Sequence, residues 1–306
     1  MAYSPPQTRR AFIVLNPVAG TLSAPVIQAI IERHFTLNNW TFELHQTQPG
    51  ENIAQVVRRA LAQNFSLVVA AGGDGTVSSV ADAMVHTGIP LGILPVGTTN
   101  TLAQELGLPL NVEAACAILT GEHAIMCLDG MQIGEEVFLL HISMDLFAVT
   151  IEKTERQAKR RFGRIAYLWT ALIQWLGYQP CRFNLVIDGR RRRRIRAASI
   201  FITNIAAVGM HPLYWGPHIR PDDGKLDVCI IRAHTVLDYL RVIRYALLGQ
   251  QQRNPRIKYL TAQCTVEVST NRLLPVQADG EIIGQQSVSV KFLPQAIHLI
   301  VPPQKN

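Results

Sequence analysis

The sequence predicts two domains: an α/β unit built on a parallel sheet, then an antiparallel β-rich sandwich or partly open barrel. Three observations predict this. At 306 residues the chain is longer than one compact core usually holds. Its first 125 residues alternate short apolar runs with stretches of helical periodicity, the pattern of right-handed βαβ units. From about Cys127 that rhythm gives way to short strands and turns. The expected domains are 9–126 and 127–294.

In order, Ala11–Leu15 is an apolar run that stops at Asn16-Pro17, a buried strand entering a turn. Ser23 is placed to cap a helix through Leu37, with Pro25 tolerated near its start. Trp40–His45 alternates as a strand, and Glu51–Gln63 carries Ile53, Val56, Val57, Ala60 and Leu61 at helical spacing. Leu67–Ala71 is a strand running into Gly72-Gly73-Asp74-Gly75-Thr76. A helix over Val77–His86, a strand over Pro90–Leu94 and helices over Thr98–Leu106 and Val112–Leu119 follow. The second half contains helices within Glu152–Tyr178 and at Val236–Gly249. Its strands are Phe183–Ile187, Ile195–Thr203, Leu226–Ile231, Thr265–Ser269, Val276–Ala278, Val288–Phe292 and Ile297–Val301. Asp188-Gly189 suits a tight primed hairpin turn between the first two.

Composition excludes several classes. The hydrophobic fraction of 48% is too high for a disordered chain. No apolar run reaches the roughly 18 residues of a spanning helix, and Ile165–Tyr178 is broken by Gln174. Pro5, Pro6, Arg9 and Arg10 precede the first strand without the apolar stretch of a signal peptide. Cys116, Cys127, Cys181, Cys229 and Cys264 match no metal or redox spacing, so we expect core thiols in a reducing cytoplasm. The net charge of +7 is unevenly placed. Residues 1–126 carry five arginines, no lysine and eight carboxylates, whereas Glu152–Arg164 nets +4 and Arg182–Arg196 nets +6. A basic patch in the second half suits an anionic partner, or simply a solvated face. Because Lys153 is the first lysine, the first half cannot hold a phosphate loop that relies on one.

The sharpest local signal is Gly72-Gly73-Asp74-Gly75-Thr76, at the carboxyl end of a parallel strand, where open α/β sheets bind ligands. Its glycines let backbone N–H groups close on phosphate oxygens, a helix from near Thr76 adds its positive end, and Thr76 and Ser78 offer hydroxyls. Asp74 would repel a bare phosphate, so it makes sense if a divalent cation bridges the two. The plain alternative is a tight strand-to-helix turn with a capping Asp. The loop fits neither G-x-x-x-x-G-K-[ST] nor G-x-G-x-x-G. Two further turns, Asn16-Pro17-Val18-Ala19-Gly20 and Pro95-Val96-Gly97-Thr98-Thr99-Asn100-Thr101, follow neighbouring strands, and three together favour a nucleotide crevice.

These three turns resemble the catalytic domain of the diacylglycerol kinase family, whose superfamily includes sphingosine and ceramide kinases and bacterial lipid kinases. The resemblance continues through Lys159–Tyr167, through Pro221-Asp222-Asp223-Gly224-Lys225-Leu226-Asp227 and through Asp279-Gly280-Glu281. It implies an NAD-kinase- or diacylglycerol-kinase-like first domain, a β-rich lipid-substrate domain, a cleft between them, and 295–306 packing back on the first. It further implies ATP at Asn16, Pro17, Val18, Ala19, Gly20, Thr47, Gly72, Gly73, Asp74, Gly75, Thr76, Val77, Ser78, Ser79, Thr98 and Asn100. Glu281 would accept the proton, with Asp279 and Asp74 beside the reacting groups. Arg220, Asp223 and Lys225 would hold a structural Mg²⁺, the first and last through backbone carbonyls. Phosphoryl transfer needs such parts: positioning, a metal, and a carboxylate for the hydroxyl proton. Taken alone, Asp279-Gly280-Glu281 and Asp222-Asp223-Gly224 could equally be hairpin turns.

Two departures are visible. Thr101 stands where many members carry Asp, and the glycine cluster after Asn204 is thinned to Gly209 before Met210, His211 and Pro212. The expected activity is phosphorylation of a membrane lipid, diacylglycerol by default, by a cytoplasmic enzyme peripheral to the inner face of the membrane. An anionic bilayer would attract Arg190–Arg194. Alternatives are another lipid kinase, an NAD kinase, and a catalytically decayed nucleotide- or lipid-binding regulator. Nucleic acid is not expected, since no aromatic residue interleaves the arginines. Dimerisation is left open. His141 and His211 are read as core or loop residues.

Overall fold

The computed structural model describes residues 9–144, 180–207, 214–216 and 218–303. Expectations for Glu152–Tyr178, including Lys159–Tyr167, and for Gly209–Pro212 lie outside the described residues. The chain divides into two compact units, 1–130 with 136–139 and 294–306, and 131–135 with 140–293.

The first unit runs β1 (Arg10–Leu15), α1 (Ala24–Leu37), β2 (Thr41–Gln46), α2 (Ile53–Leu61), β3 (Leu67–Gly72), α3 (Asp74–Met84), β4 (Leu91–Pro95), α4 (Thr101–Glu105) and α5 (Val112–Thr120). The hairpin strands β5 (Ala124–Ile133) and β6 (Glu136–Phe138) follow. The sheet is parallel, in the order β2-β1-β3-β4, and Leu299 near the end of the chain pairs in parallel with Leu91 of β4. Ile27, Ile31 and Phe35 of α1 and Val112, Ala115, Cys116 and Leu119 of α5 cover Ala11, Ile13 and Leu15 on one sheet face. Each large side chain so buried contributes roughly 1.5–3 kcal/mol. Side chains of Asn52 and Asn111 accept the N–H groups of Gln55 and Ala114, fixing the starts of α2 and α5. From β1 the chain steps to β2 on one side, then to β3 on the other. That reversal puts the topological switch point at the carboxyl ends of β1 and β3.

The second unit contains β7 (His141–Met144), β8 (Cys181–Ile187), β9 (Arg191–Ala197), β10 (Ser199–Thr203), β11 (Leu226–Ile231), α6 (Val236–Leu247), β12 (Ile257–Ala262), β13 (Thr265–Thr270), β14 (Pro275–Ala278) and β15 (Glu281–Gln285). The last strand, β16 (Ser287–Val301), begins here and ends in the first unit. One antiparallel sheet has the order β12-β11-β10-β7-β14-β15; a second runs β16-β13-β8-β9. The α/β-plus-antiparallel architecture is the one expected.

Local differences have physical causes. The strand expected from Ile195 begins at Arg191, because Asp188 (φ 51°), Gly189 (φ 66°) and Arg190 close a three-residue turn and β9 pairs residue by residue with β8. As the terminal strand of its sheet, β9 is guarded against edge-to-edge pairing by exposed Arg192, Arg193 and Arg194. The helix expected from Thr98 starts at Thr101, because Asn100 adopts φ 50°. Cys116, Cys181 and Cys229 are buried as expected, but Cys264 is exposed in the turn between β12 and β13. Among the described residues no helix is long and apolar enough to cross a membrane.

Helix α6 is fixed at its start by a capping box between Thr235 and Asp238. Asp238 also accepts the His234 N–H (3.1 Å) and pairs with Arg256 (3.0 Å). Burial opposes its charge, but the His234 N–H, Thr235 and Arg256 together hold the carboxyl below its usual range. A lowered folded pKa gives stability that is present above the unfolded value and lost as pH falls through the folded one. Asp238→Ala should therefore cost about 1 kcal/mol in neutral urea melts. Its deficit relative to wild type should shrink as pH drops from about 5 to about 3.

Candidate active site

At the switch point three turns pack backbone against backbone. A Cβ on Gly20, which adopts φ +68°, would lie 1.8 Å from the Val96 carbonyl oxygen. A Cβ on Gly97 would lie 2.5 Å from the Gly73 Cα, and the Gly97 N–H already donates to the Gly72 carbonyl (3.3 Å). Side chains then brace the turns, within and between them. Asn16 Nδ2 donates to Thr76 Oγ1 (3.1 Å) while its Oδ1 accepts the Val18 N–H. Asn100, buried, donates to the carbonyls of Gly97 (2.9 Å) and Pro95 (3.3 Å). The Thr47 N–H donates to the Leu15 carbonyl (2.9 Å), bringing the end of β2 alongside.

Helix α3 starts at Asp74, two residues before the expected start near Thr76. Gly73 is extended and serves as N-cap, and Gly75 is helical. The first helical bond runs from the Val77 N–H to the Gly73 carbonyl, so the N–H groups before it have no intrahelical acceptor. Asp74 thus sits in the first turn, and its Oδ1 accepts the Leu102 N–H (3.2 Å) at the start of α4. Thr76 and Ser78 are buried; Ser79 donates to the Gly75 carbonyl; Val18 and Thr98 are exposed. No lysine or arginine lies on any of the three turns, so an anion here would meet N–H dipoles, hydroxyls and a helix N-terminus.

The other predicted residues lie in the second unit. Asp279 (φ 44°) and Gly280 (φ 98°) form the two-residue turn joining β14 to β15. Asp279 Oδ1 accepts the N–H groups of Leu140 and His141 (3.0 Å each), and its own N–H donates to the His141 carbonyl. Glu281 opens β15 with an exposed side chain and no hydrogen bond or ion pair among the described residues. Ahead of β11, Arg220 grips Asp222 in a two-pronged pair, and Lys225 Nζ lies 2.9 Å from Asp223 Oδ2. Asp223 Oδ1 is buried with no hydrogen-bond partner, an arrangement that suits a bound cation. Asp223 is thus the side chain of this segment that could receive the expected Mg²⁺, although among the described residues no group of three or more His, Cys, Asp or Glu side chains gathers to hold a metal ion. Asp227, 1% exposed, has its carboxyl pushed up to about 6 by burial, despite His218 and Lys225 nearby.

The structure thus gathers Asn16–Gly20, Thr47, Gly72–Ser79 and Thr98–Asn100 in one unit, and Arg220–Lys225 and Asp279–Glu281 in the other. Sequence reasoning missed the Asp74–Leu102 and Asp279–Leu140/His141 bonds. It had no signal for them, since each joins segments far apart in the chain.

Comparison with known proteins agrees along the chain. Residues 10–129 match the family model of the diacylglycerol kinase catalytic domain. Residues 145–301 match the YegS C-terminal NAD kinase beta sandwich-like domain. The chain is 30% identical over 268 residues to a "Probable lipid kinase YegS-like" of Pseudomonas putida, covering 87% of each. It is 25% identical over 302 residues to the "Diacylglycerol kinase" of Bacillus subtilis, covering 97% of this chain and 98% of that one. A crystal structure of a diacylglycerol kinase from Bacillus anthracis str. Sterne has the same fold, with a TM-score of 0.80 at 20% identity over 97% of this chain and 99% of that one.

The tightness of the turns is testable. Gly20→Ala adds a Cβ against the Val96 carbonyl at a left-handed position and should cost at least about 2 kcal/mol in urea melts. If these turns hold ATP, it should also abolish any protection by saturating ATP in a thermal-shift measurement, whereas Gly50→Ala, at a positive-φ turn with open space around it, should keep that protection.

Proposed function

Because this chain belongs to the diacylglycerol kinase catalytic-domain family, we propose that it transfers the γ-phosphoryl group of ATP to the hydroxyl of a membrane lipid, diacylglycerol first, giving phosphatidic acid. The observation that carries the reading is the trio of glycine-walled turns at the switch point, cross-tied by Asn16 and Asp74, with Asn100 bracing the turn after β4. In this reading Asn16–Gly20, Thr47, Gly72–Ser79, Thr98 and Asn100 hold ATP, its phosphates lying against the N-terminus of α3. Removing every Cβ at the contact lets N–H dipoles reach phosphate oxygens, and because these dipoles are fixed beforehand they need no reorganisation as charge moves.

Glu281 accepts the proton of the lipid hydroxyl as the oxygen attacks the γ-phosphorus. An exposed, unpaired carboxylate is available for that task, whereas Asp279, its oxygen occupied by two backbone N–H groups, acts as a positioning residue that holds the turn. Asp223, with the carbonyls of Arg220 and Lys225, would hold a structural Mg²⁺, and Asp74 would act through a cation at the phosphates. Mg²⁺, when bound, supplies positive charge that offsets carboxylate and phosphate repulsion. The enzyme would work from the inner face of the membrane as a peripheral protein.

The test is transfer of labelled γ-phosphate from ATP to a panel of lipids and to NAD. Labelled phosphatidic acid is the expected product; labelling of NAD alone would reassign the activity. Glu281→Gln should lower kcat at least about 100-fold with little change in the KM for ATP. Equal loss in both would make Glu281 a binding residue instead. Asp74→Ala should abolish turnover while circular dichroism shows the fold retained.

A further inference from the structure

Helix α6 is apolar on two faces. Inward, Tyr239 is buried against Ala198 and Ala233, with Ile231 packed alongside. Outward, Leu237, Leu240, Arg241, Arg244, Leu247 and Leu248 recur at intervals of one, three and four residues and form a single exposed stripe. The leucines are 65%, 48%, 54% and 57% exposed, in that order. Such a stripe on a helix already anchored by its other face needs a partner to remove it from water. Its charge says which. The sole acid of the helix, Asp238, is buried and paired with Arg256, so the outward stripe carries arginines and no carboxylate. In the same unit, exposed Arg192, Arg193 and Arg194 stand on β9, which ends one residue before the Ala198 that packs under Tyr239.

We propose that α6 is an interfacial docking helix that lays Leu237, Leu240, Leu247 and Leu248 into the headgroup–acyl boundary of an anionic bilayer, with Arg241 and Arg244 on acidic headgroups. The choice of a membrane over another acidic surface rests on the reading of this chain as a lipid kinase. Leucines interleaved with arginines suit that boundary, because the long arginine stems lie on apolar surface while their heads reach the phosphates. Each arginine near such a surface is worth about fivefold in binding, and salt screens that share.

The experiment is co-sedimentation with phosphatidylcholine vesicles, with and without phosphatidylglycerol, in the absence of ATP and acceptor. Wild type should bind the phosphatidylglycerol vesicles. Leu240→Ser with Leu247→Ser should weaken that binding at least about tenfold. Arg241→Gln and Arg244→Gln should each weaken it about fivefold in low salt and hardly at all in high salt. Unchanged binding by the leucine variant overturns the proposal. So does light scattering that shows a wild-type dimer turned to monomer by the same variant, since the stripe then belongs to a second copy. Phosphorylation of short-chain diacylglycerol dispersed as monomers is read separately. Its retention in the variants shows that they are folded. Its absence from a wild type whose vesicle binding needs the leucines would fail the kinase reading and uphold the docking.

Discussion

Close approach of backbone to backbone at the carboxyl ends of β1, β3 and β4 is the constraint on which the first unit's chemistry depends. Gly20 lies under the Val96 carbonyl and Gly97 against Gly73, and no residue with a Cβ could take either place without the turns moving apart. A mouth walled by main chain has no room for a lysine or arginine. Any attraction it exerts on an anion must therefore come from peptide dipoles and from the start of α3. The same closeness explains why Asn16 and Asp74 are spent on neighbouring turns, each fastening one strand end to another, while Asn100 braces its own turn at Pro95 and Gly97. Rigidity here is a property of the whole trio.

In the second unit, five carboxylates from two short segments meet five fates. Asp222 is clasped by Arg220; Asp223 gives one oxygen to Lys225 and leaves the other bare; Asp227 is buried, with its proton held up to about pH 6. Asp279 is consumed by main-chain N–H groups, and Glu281 is exposed, with no pair among the described residues. Residue type is nearly constant across the set, so the environment alone sorts them into a clasped brace, a half-paired acid, a buried acid, a turn anchor and an exposed carboxylate.

Much of this was legible beforehand where the signal is local. Apolar runs five residues long bounded by turn residues gave β1, β3 and β4, and glycine clusters marked the turns because glycine leaves an imprint wherever backbones must touch. Legibility failed where a tertiary partner decides. The arginine run reads only as a basic patch or solvated face until β8 is paired with it, and the early start of α3 depends on Gly73 taking an extended cap that the local pattern does not mark. The partners of Asp74 and Asp279 lie 28 and up to 139 residues away, beyond the reach of any local pattern.

Strand β16 carries a consequence for biogenesis. Its early residues pair with β13, Gln295 turns through a positive φ with its N–H on Asp129, and Leu299 then pairs with Leu91 of β4. The strand that covers the β4 edge thus emerges from the ribosome about two hundred residues after β4 itself. Until then the growing chain exposes an open sheet border beside its most apolar strands, inviting misassociation. Closure of the first unit's sheet is therefore gated by a segment synthesised long after the strand it covers, and a truncation near residue 295 would leave the β4 edge open.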